Sequence, residues 1–147
     1  MNIFLKCPHC DHEIMVASAA GLETRVAECP KCHTKMALSA FIPKCSLKVG
    51  EHCYQLRFGP QWVGRQSATG GADVQIPDPT GYMSRRHALI HLACAPSGIV
   101  CTFEEHGKNP TQLQGIELVN DDIVYLNVND CLKLGDIKMY LAAAYGK

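Results

Sequence analysis

Four cysteines constrain this chain more than anything else in it. They stand as Cys7-Pro8-His9-Cys10 and Cys29-Pro30-Lys31-Cys32, two Cys-x2-Cys pairs with 18 residues between them. Two residues between cysteines let the chain turn back so that both sulfurs meet one ion at about 2.3 Å. The intervening 18 residues can form a hairpin that returns the second pair to the first. A proline after the first cysteine of each pair pre-sets the backbone of the turn. The spacing reads as a four-cysteine zinc site, with Cys7, Cys10, Cys29 and Cys32 as ligands. The competing reading, a pair of redox-active motifs, wants a βαβ setting that this sequence lacks. Size points the same way. A unit of about 44 residues rarely holds a fold by its hydrophobic core alone, and structural zinc supplies about 10–16 kcal/mol in finger peptides. His9, His12 and His33 lie close by, but four sulfurs already fill the tetrahedron. A closed site has no open position for water, so the expected Zn2+ is structural.

The remaining five cysteines (Cys45, Cys53, Cys94, Cys101 and Cys131) are scattered. An odd total of nine fits metal ligands plus free thiols better than a disulfide framework. Cys94, Cys101 and Cys131 lie in or beside apolar runs and read as small buried hydrophobes. Charged residues make up 19% and balance to zero, so no general field draws the chain to nucleic acid or to anionic membranes. No stretch approaches the ~18 apolar residues that span a bilayer, and the first six residues reach a Cys-Pro turn too early for a secretory core. The expectation is a cytoplasmic protein without a membrane partner.

Pro43 interrupts any regular element and marks a boundary, giving units 1–43 and 46–144. After residue 45 the sequence reads as short strands between turns. Candidates are Leu47–Val49, Tyr54–Phe58, Gln61–Gly64, Asp73–Ile76 and Ala88–Cys94, then Ile99–Phe103, Ile123–Tyr125, Cys131–Leu134 and Ile137–Leu141. In the last, Ile137, Met139 and Leu141 alternate with Lys138 and Tyr140, the period of a half-buried strand. Turn signals fall at Gly70-Gly71, Pro77-Asp78-Pro79, Pro96-Ser97-Gly98 and Gly107-Lys108-Asn109-Pro110. Ala17–Leu22 reads as loop or a short turn of helix. Many short strands at near-regular spacing predict an all-β sandwich or barrel.

Three separated polar clusters lie in this second unit, the first with Arg65 just past a predicted strand end. They are Trp62-Val63-Gly64-Arg65, Ser84-Arg85-Arg86-His87 and Gly107-Lys108-Asn109-Pro110-Thr111. Guanidinium forks, a hydroxyl, an ammonium and backbone N–H groups form an anion-binding inventory suited to a phosphomonoester, which carries about −1.5 to −2 charges and three strong acceptors. The sequence does not say whether the turns converge. Glu104 and Glu105 precede the third cluster and would repel a phosphate if they faced it.

The order of these pieces resembles the forkhead-associated (FHA) domain. Gly64-Arg65 is followed about twenty residues on by Ser84-Arg85-Arg86-His87, and again about twenty residues on by Asn109-Pro110-Thr111. Ala72-Asp73-Val74-Gln75-Ile76 looks like that family's Ala-Asp-Ile strand, and Asp130-Cys131-Leu132-Lys133-Leu134-Gly135 like its Gly-Asp-x-Ile-x-Leu-Gly run. The resemblance implies an eleven-stranded FHA-type β-sandwich whose apical loops read phosphothreonine in a partner protein, downstream of a serine/threonine kinase. It implies that Arg65 and Ser84 bind the phosphate and that Arg85 and Lys108 face the peptide. Asn109 would bond the peptide backbone, Gly64 would permit close packing, and His87 would brace the loop carrying Ser84. One position departs from the pattern: Pro110 stands where the family has glycine, which fixes φ and pushes Asn109 toward extended backbone. The first 40 residues similarly resemble the short zinc ribbons that open many bacterial proteins. The matching residues are the two knuckles, Ile14-Met15-Val16, and Arg25-Val26-Ala27-Glu28 before Cys29.

Ser84 with His87 is the one nucleophile–base pair near these clusters, and no third group orients it, so the reading is a binding module and not an enzyme. Two alternatives stay open. In one, the ribbon binds nucleic acid while the sandwich serves assembly. Five cations against four carboxylates leave residues 1–44 at +1, thin support for it. In the other, a degenerate FHA-like domain binds an unphosphorylated partner, a reading kept open by Asn109-Pro110.

Overall fold

The computed structural model describes residues 2–17, 25–38, 42–95 and 98–145, with backbone only for Pro43, Ala144 and Tyr145. Ala17–Leu22 beyond Ala17, and Pro96-Ser97, lie outside these residues. The elements described are β-strands.

The cysteine-rich segment forms two hairpins. β1 (Asn2–Lys6) pairs antiparallel with β2 (Glu13–Ala17), and β3 (Val26–Glu28) with β4 (Lys35–Ala37). Alternation places Ile3, Leu5, Ile14 and Val16 inward and leaves Met15 exposed. The first Cys-x2-Cys pair forms the bend of the first hairpin and the second that of the other.

Eleven strands follow: β5 (Pro43–Val49), β6 (His52–Gln55), β7 (Gly59–Arg65), β8 (Val74–Ile76), β9 (Ala88–Ala95), β10 (Gly98–Glu105), β11 (Gln112–Leu113), β12 (Ile116–Glu117), β13 (Ile123–Leu126), β14 (Cys131–Leu134) and β15 (Ile137–Tyr145). They form a five-stranded sheet, β13-β10-β9-β7-β8, and a six-stranded sheet, β12-β11-β14-β15-β5-β6. Among the described residues only β7 and β8 pair in parallel. Leu47, Leu132 and Leu141 from one sheet and Val63, Ile90, Leu92 and Phe103 from the other fill the core between them.

Several strand limits differ from the sequence-based expectation, each for a local reason. Pro43 does not interrupt a strand; it opens β5, a position where a missing N–H is tolerated. The expected strand Tyr54–Phe58 instead runs His52–Gln55. Beyond it the Gln61 side chain takes up both backbone groups of Arg57, accepting its N–H at 3.0 Å and donating to its carbonyl at 2.6 Å. β11 and β12 have two residues each, too short to show a period. Cys94 and Cys101 are buried as expected, but Cys131 is exposed, because Leu132 and Leu134 take the inward positions of β14.

The sandwich has two ends with different neighbours. The β7–β8, β8–β9 and β10–β11 loops gather at the end where β9 begins. At the other end of β9, Cys94 joins an apolar cluster with Ile3, Leu5, Ile14, Met36 and Leu38, and Phe58 packs against it. The cysteine-rich unit therefore packs on the end opposite the polar loops.

Candidate functional site

Asp78 shapes the loop that carries Ser84. One carboxylate oxygen accepts the Thr80 N–H (3.0 Å) and hydroxyl (2.6 Å), and the other accepts the Met83 N–H (2.8 Å). Burial opposes its ionisation, yet these bonds and the Gly81 N–H hold the carboxyl below its ordinary value. The Met83 side chain anchors the loop in the core. Backbone bonds fasten the loop to β7: Arg65 N–H to the Ser84 carbonyl, and His87 N–H to the Val63 carbonyl, both 2.9 Å. Gly64 is required here, since a Cβ would overlap the Arg85 carbonyl. The β14–β15 turn packs on the same loop, where a Cβ on Gly135 would lie 2.6 Å from the Met83 nitrogen.

A buried polar network fixes the loop from below. His87, Glu105 and Thr111 are fully buried. The Ser84 N–H donates to His87 Nδ1 at 3.0 Å, so the ring proton sits on Nε2 and is donated to the Thr111 hydroxyl at 3.0 Å. Burial lowers the His87 pKa, and the carboxylates of Glu105 and Asp78 oppose that only in part, so the ring is neutral at pH 7. Glu105 accepts the N–H groups of Gly107 (2.8 Å) and Thr111 (2.7 Å). It therefore faces inward and holds the β10–β11 loop in place. Glu104 turns aside to His106, 3.6 Å away. The expected hazard of two carboxylates facing an anion does not arise. Gly107 lies flat against the His87 ring, where any Cβ would collide with the imidazole.

On this base the three clusters converge. Arg65 donates Nε–H to the Met83 carbonyl at 3.0 Å, which sets its guanidinium beside the Ser84 loop, and among the described residues neither terminal nitrogen has a hydrogen-bond partner. The Lys108 N–H donates to Ser84 Oγ at 2.9 Å, which leaves the hydroxyl proton of Ser84 for another acceptor. Asn109 has a negative φ, as Pro110 requires, and its Nδ2 donates to the Tyr82 carbonyl at 3.0 Å. Arg85 lies on the rim, held by a 3.2 Å bond to the Thr69 hydroxyl. Arg86 points elsewhere, bonding the Gly71 carbonyl at 2.7 Å and lying 5.5 Å over the Trp62 ring. In these loops the described carboxylates are Asp73, paired with Arg57 at 3.2 Å, and Asp78, already saturated. The outcome is a loop end that gathers Arg65, Arg85 and Lys108 around the Ser84 hydroxyl, with both described carboxylates of these loops already partnered. The sequence reading missed the supporting roles of Asp78 and Glu105. Asp78 carries a recognisable signal, an aspartate two residues before a threonine in a turn.

The four N-terminal cysteines also converge. Their sulfurs lie within 4.8 Å of one another, a group able to hold a metal ion. Cys7 and Cys32 are 3.5 Å apart, Cys10 and Cys29 3.7 Å. The two knuckles repeat one geometry. Cys7 and Cys29 donate their N–H to the carbonyls of His12 and Thr34, and accept at their own carbonyls from Asp11 and His33. Asp11 and His33 have φ of 61° and 63°. The Thr34 hydroxyl, 3.1 Å from the Cys32 sulfur, and its N–H hold that thiol down at about 6. No histidine joins the group among the described residues. By contrast, burial pushes the core thiols up, Cys45 to about 11 and Cys101 to about 12.

The sequence matches no family model and no curated protein. The fold does match solved structures. The FhaA FHA domain complexed with the intracellular domain of Rv3910 superposes with a TM-score of 0.54 at 23% identity, covering 66% of this chain and 98% of that one. The MEK1 FHA domain, solved with a HOP1 phosphothreonine peptide, gives 0.56 at 18% identity, covering 67% and 95%. The yeast splicing factor Pml1 gives 0.58 at 18%, covering 71% and 81%. The large C-terminal unit thus has the FHA-type β-sandwich fold, preceded by a four-cysteine unit.

Proposed function

We propose that this chain is a phosphothreonine-dependent protein-interaction module, an adaptor in serine/threonine kinase signalling, carrying a structural zinc ribbon. One observation carries the reading: the Arg65 side chain and the Lys108 N–H both close on the loop that carries Ser84, over a buried scaffold, and leave the Ser84 hydroxyl proton uncommitted. Arg65 supplies a guanidinium fork to the phosphate, and Ser84 supplies a hydroxyl proton whose direction is set by the Lys108 N–H. Arg85 and the Lys108 ammonium add charge from the rim. Asn109, tied through Nδ2 to Tyr82, keeps its side-chain carbonyl for a peptide N–H. The buried set under the loops makes the site rigid, so little ordering cost falls on binding. A solved structure of the same fold holds a phosphothreonine peptide, which agrees with this reading.

The metal is assigned from the donor set. A tetrahedron of sulfurs about 2.3 Å from zinc has edges of about 3.8 Å. The observed separations of 3.5 and 3.7 Å fit that size, and four thiolates favour zinc over harder cations. Cys7, Cys10, Cys29 and Cys32 would hold it, closing both hairpins into one unit.

The test is calorimetry with one peptide in three forms: threonine, phosphothreonine and phosphoserine. Binding is expected for phosphothreonine alone or far ahead of phosphoserine. Equal binding of the unphosphorylated peptide would sink the proposal and favour the degenerate alternative.

A further inference from the structure

We propose that the outer face of the six-stranded sheet is a second docking surface, which takes an acidic segment of a partner protein. It stands apart from the phosphate reading and uses none of the same residues.

Strand register decides which residues this face presents. Cys45, Leu47, Leu132, Leu134, Met139 and Leu141 face the core, so the residues between them face outward. Those positions include Lys44 and Lys48 on β5, Lys133 on β14 and Lys138 on β15. Lys133 pairs with Lys138 across the sheet, and Lys48 pairs with Tyr140 one row further on. The charges therefore continue from the β14–β15 turn along the sheet to Lys44. No carboxylate stands on β5, β6, β14 or β15. Acids stand at the margins: Glu51 in the β5–β6 turn, Glu117 on β12, Asp130 just before β14, and Asp136, 3.9 Å from Lys133. Among the described residues Lys44, Lys48 and Lys138 have no ion-pair partner. In a chain with equal numbers of cations and carboxylates, this segregation is a local property of the face.

Between Lys44 and Lys48 lies a trough of about 380 Å³. Ser46 and Ala142, neighbours across β5 and β15, make its floor, and Cys53 and Gln55 on β6 make one side. Small side chains at the centre and cations at both ends suit a few side chains of an extended peptide laid along β5. The two lysines are about 13 Å apart at ~3.3 Å per strand residue, a span that carboxylates four residues apart in such a peptide would match. Nucleic acid fits less well. Faces that bind single strands combine cations with several stacking aromatics, whereas Tyr140 is the one aromatic side chain described as facing outward on β5, β6, β14 and β15. The face also carries no arginine fork for phosphate.

The test is fluorescence anisotropy of a fluorescein-labelled peptide of about ten residues alternating glutamate and serine, titrated with the full chain at low salt, where exposed charge pairs are strongest. We expect binding that weakens as salt rises and falls at least about fivefold in Lys44→Gln/Lys48→Gln. The control Lys6→Gln/Lys35→Gln, on the N-terminal hairpins, should bind like wild type. Ser46→Phe, which fills the trough and keeps every lysine, should also weaken binding; thermal melts confirm that each variant is folded. A phosphothreonine peptide should not displace the probe. Absence of binding by the wild-type chain overturns the proposal, as does equal loss in both lysine pairs. Tighter binding of a single-stranded oligonucleotide or of phosphatidylserine vesicles, with the same dependence on Lys44 and Lys48, would reassign the face.

Discussion

Replacing Arg65 by alanine tests the phosphate site at its centre. The backbone bond from Arg65 to the Ser84 carbonyl survives the change, since it needs no side chain. The Nε bond to the Met83 carbonyl is lost, at a net cost of about 0.5–1.5 kcal/mol in stability. Binding should suffer far more. A hydrogen bond to a charged group contributes about 1.5–3 kcal/mol, so losing one terminal contact costs roughly 10- to 150-fold in affinity. Losing a two-pronged fork costs about 3–6 kcal/mol, more than about 150-fold. Arg65→Lys keeps the charge but neither the fork nor the Met83 anchor, and should fall between the two. Calorimetry with a phosphothreonine peptide reads affinity, and urea unfolding reads stability on the same samples. Wild-type affinity in a folded Arg65→Ala chain would show that the guanidinium beside the Ser84 loop is not what holds the phosphate.

Four further outcomes are expected. Gly107→Ala drives a methyl group into the buried His87 ring and should cost about 1–3 kcal/mol of stability, with phosphopeptide binding weakened as the Lys108 N–H shifts from Ser84; an unchanged melting temperature contradicts the packing described. His87 has a folded pKa lowered from its ordinary value of about 6.5, chiefly by burial, so the unfolded chain binds more protons below that pH. The contribution of His87 to stability should be whole above pH 6.5 and decline as pH falls toward the lowered folded value; a urea midpoint that is flat between pH 7 and 5, or equally steep in His87→Asn, refutes this. Phosphopeptide affinity should itself drop below about pH 6, where the phosphate gains its second proton; following the phosphate's own titration by phosphorus NMR, free and bound, shows whether the protein or the ligand titrates. Metal analysis should find about one zinc per chain, and chelation should melt residues 2–38 in hydrogen exchange while phosphopeptide affinity stays within about twofold. A tenfold affinity loss on chelation would mean that the two ends of the sandwich are coupled.

The sequence reading succeeded where side chains carry the information. Alternation in Ile137–Leu141 tells which way β15 faces, and cysteine spacing tells which sulfurs meet. Arg65, Ser84 and Lys108 stand out as donors of the types a phosphate takes, and the fold brings the end of β7 and two loops together around Ser84. It failed where backbone groups decide. Glu105 looks like a threat to an anion site because its real partners, the N–H groups of Gly107 and Thr111, leave no mark in the sequence. Tyr54–Phe58 reads as one strand because nothing in its own residues shows that Gln61 takes the Arg57 backbone. Cys131 sits beside Leu132 and reads as apolar context, yet a period of two puts neighbours on opposite faces.

The placement of the two sites explains how one chain can carry both without interference. β9 runs from Ala88, just past the Ser84 loop, to Ala95, next to the cysteine-rich hairpins. At about 3.3 Å per residue, its eight residues separate the two ends by more than about 20 Å, well beyond the Debye length in physiological salt. A four-thiolate metal site carries net negative charge, and beside the Arg65 guanidinium it would compete with a phosphate. Set at the far end, it meets the sandwich through Cys94 and Phe58 instead, an apolar contact. A phosphate bound at the loops would therefore have no short electrostatic route to a metal held by the four cysteines. What links the ends is the pair β7 and β9, bonded to each other, which meet the N-terminal unit at Phe58 and Cys94 and reach the loops at Arg65 and Ala88, so the N-terminal unit acts on the loops through the stability of these strands.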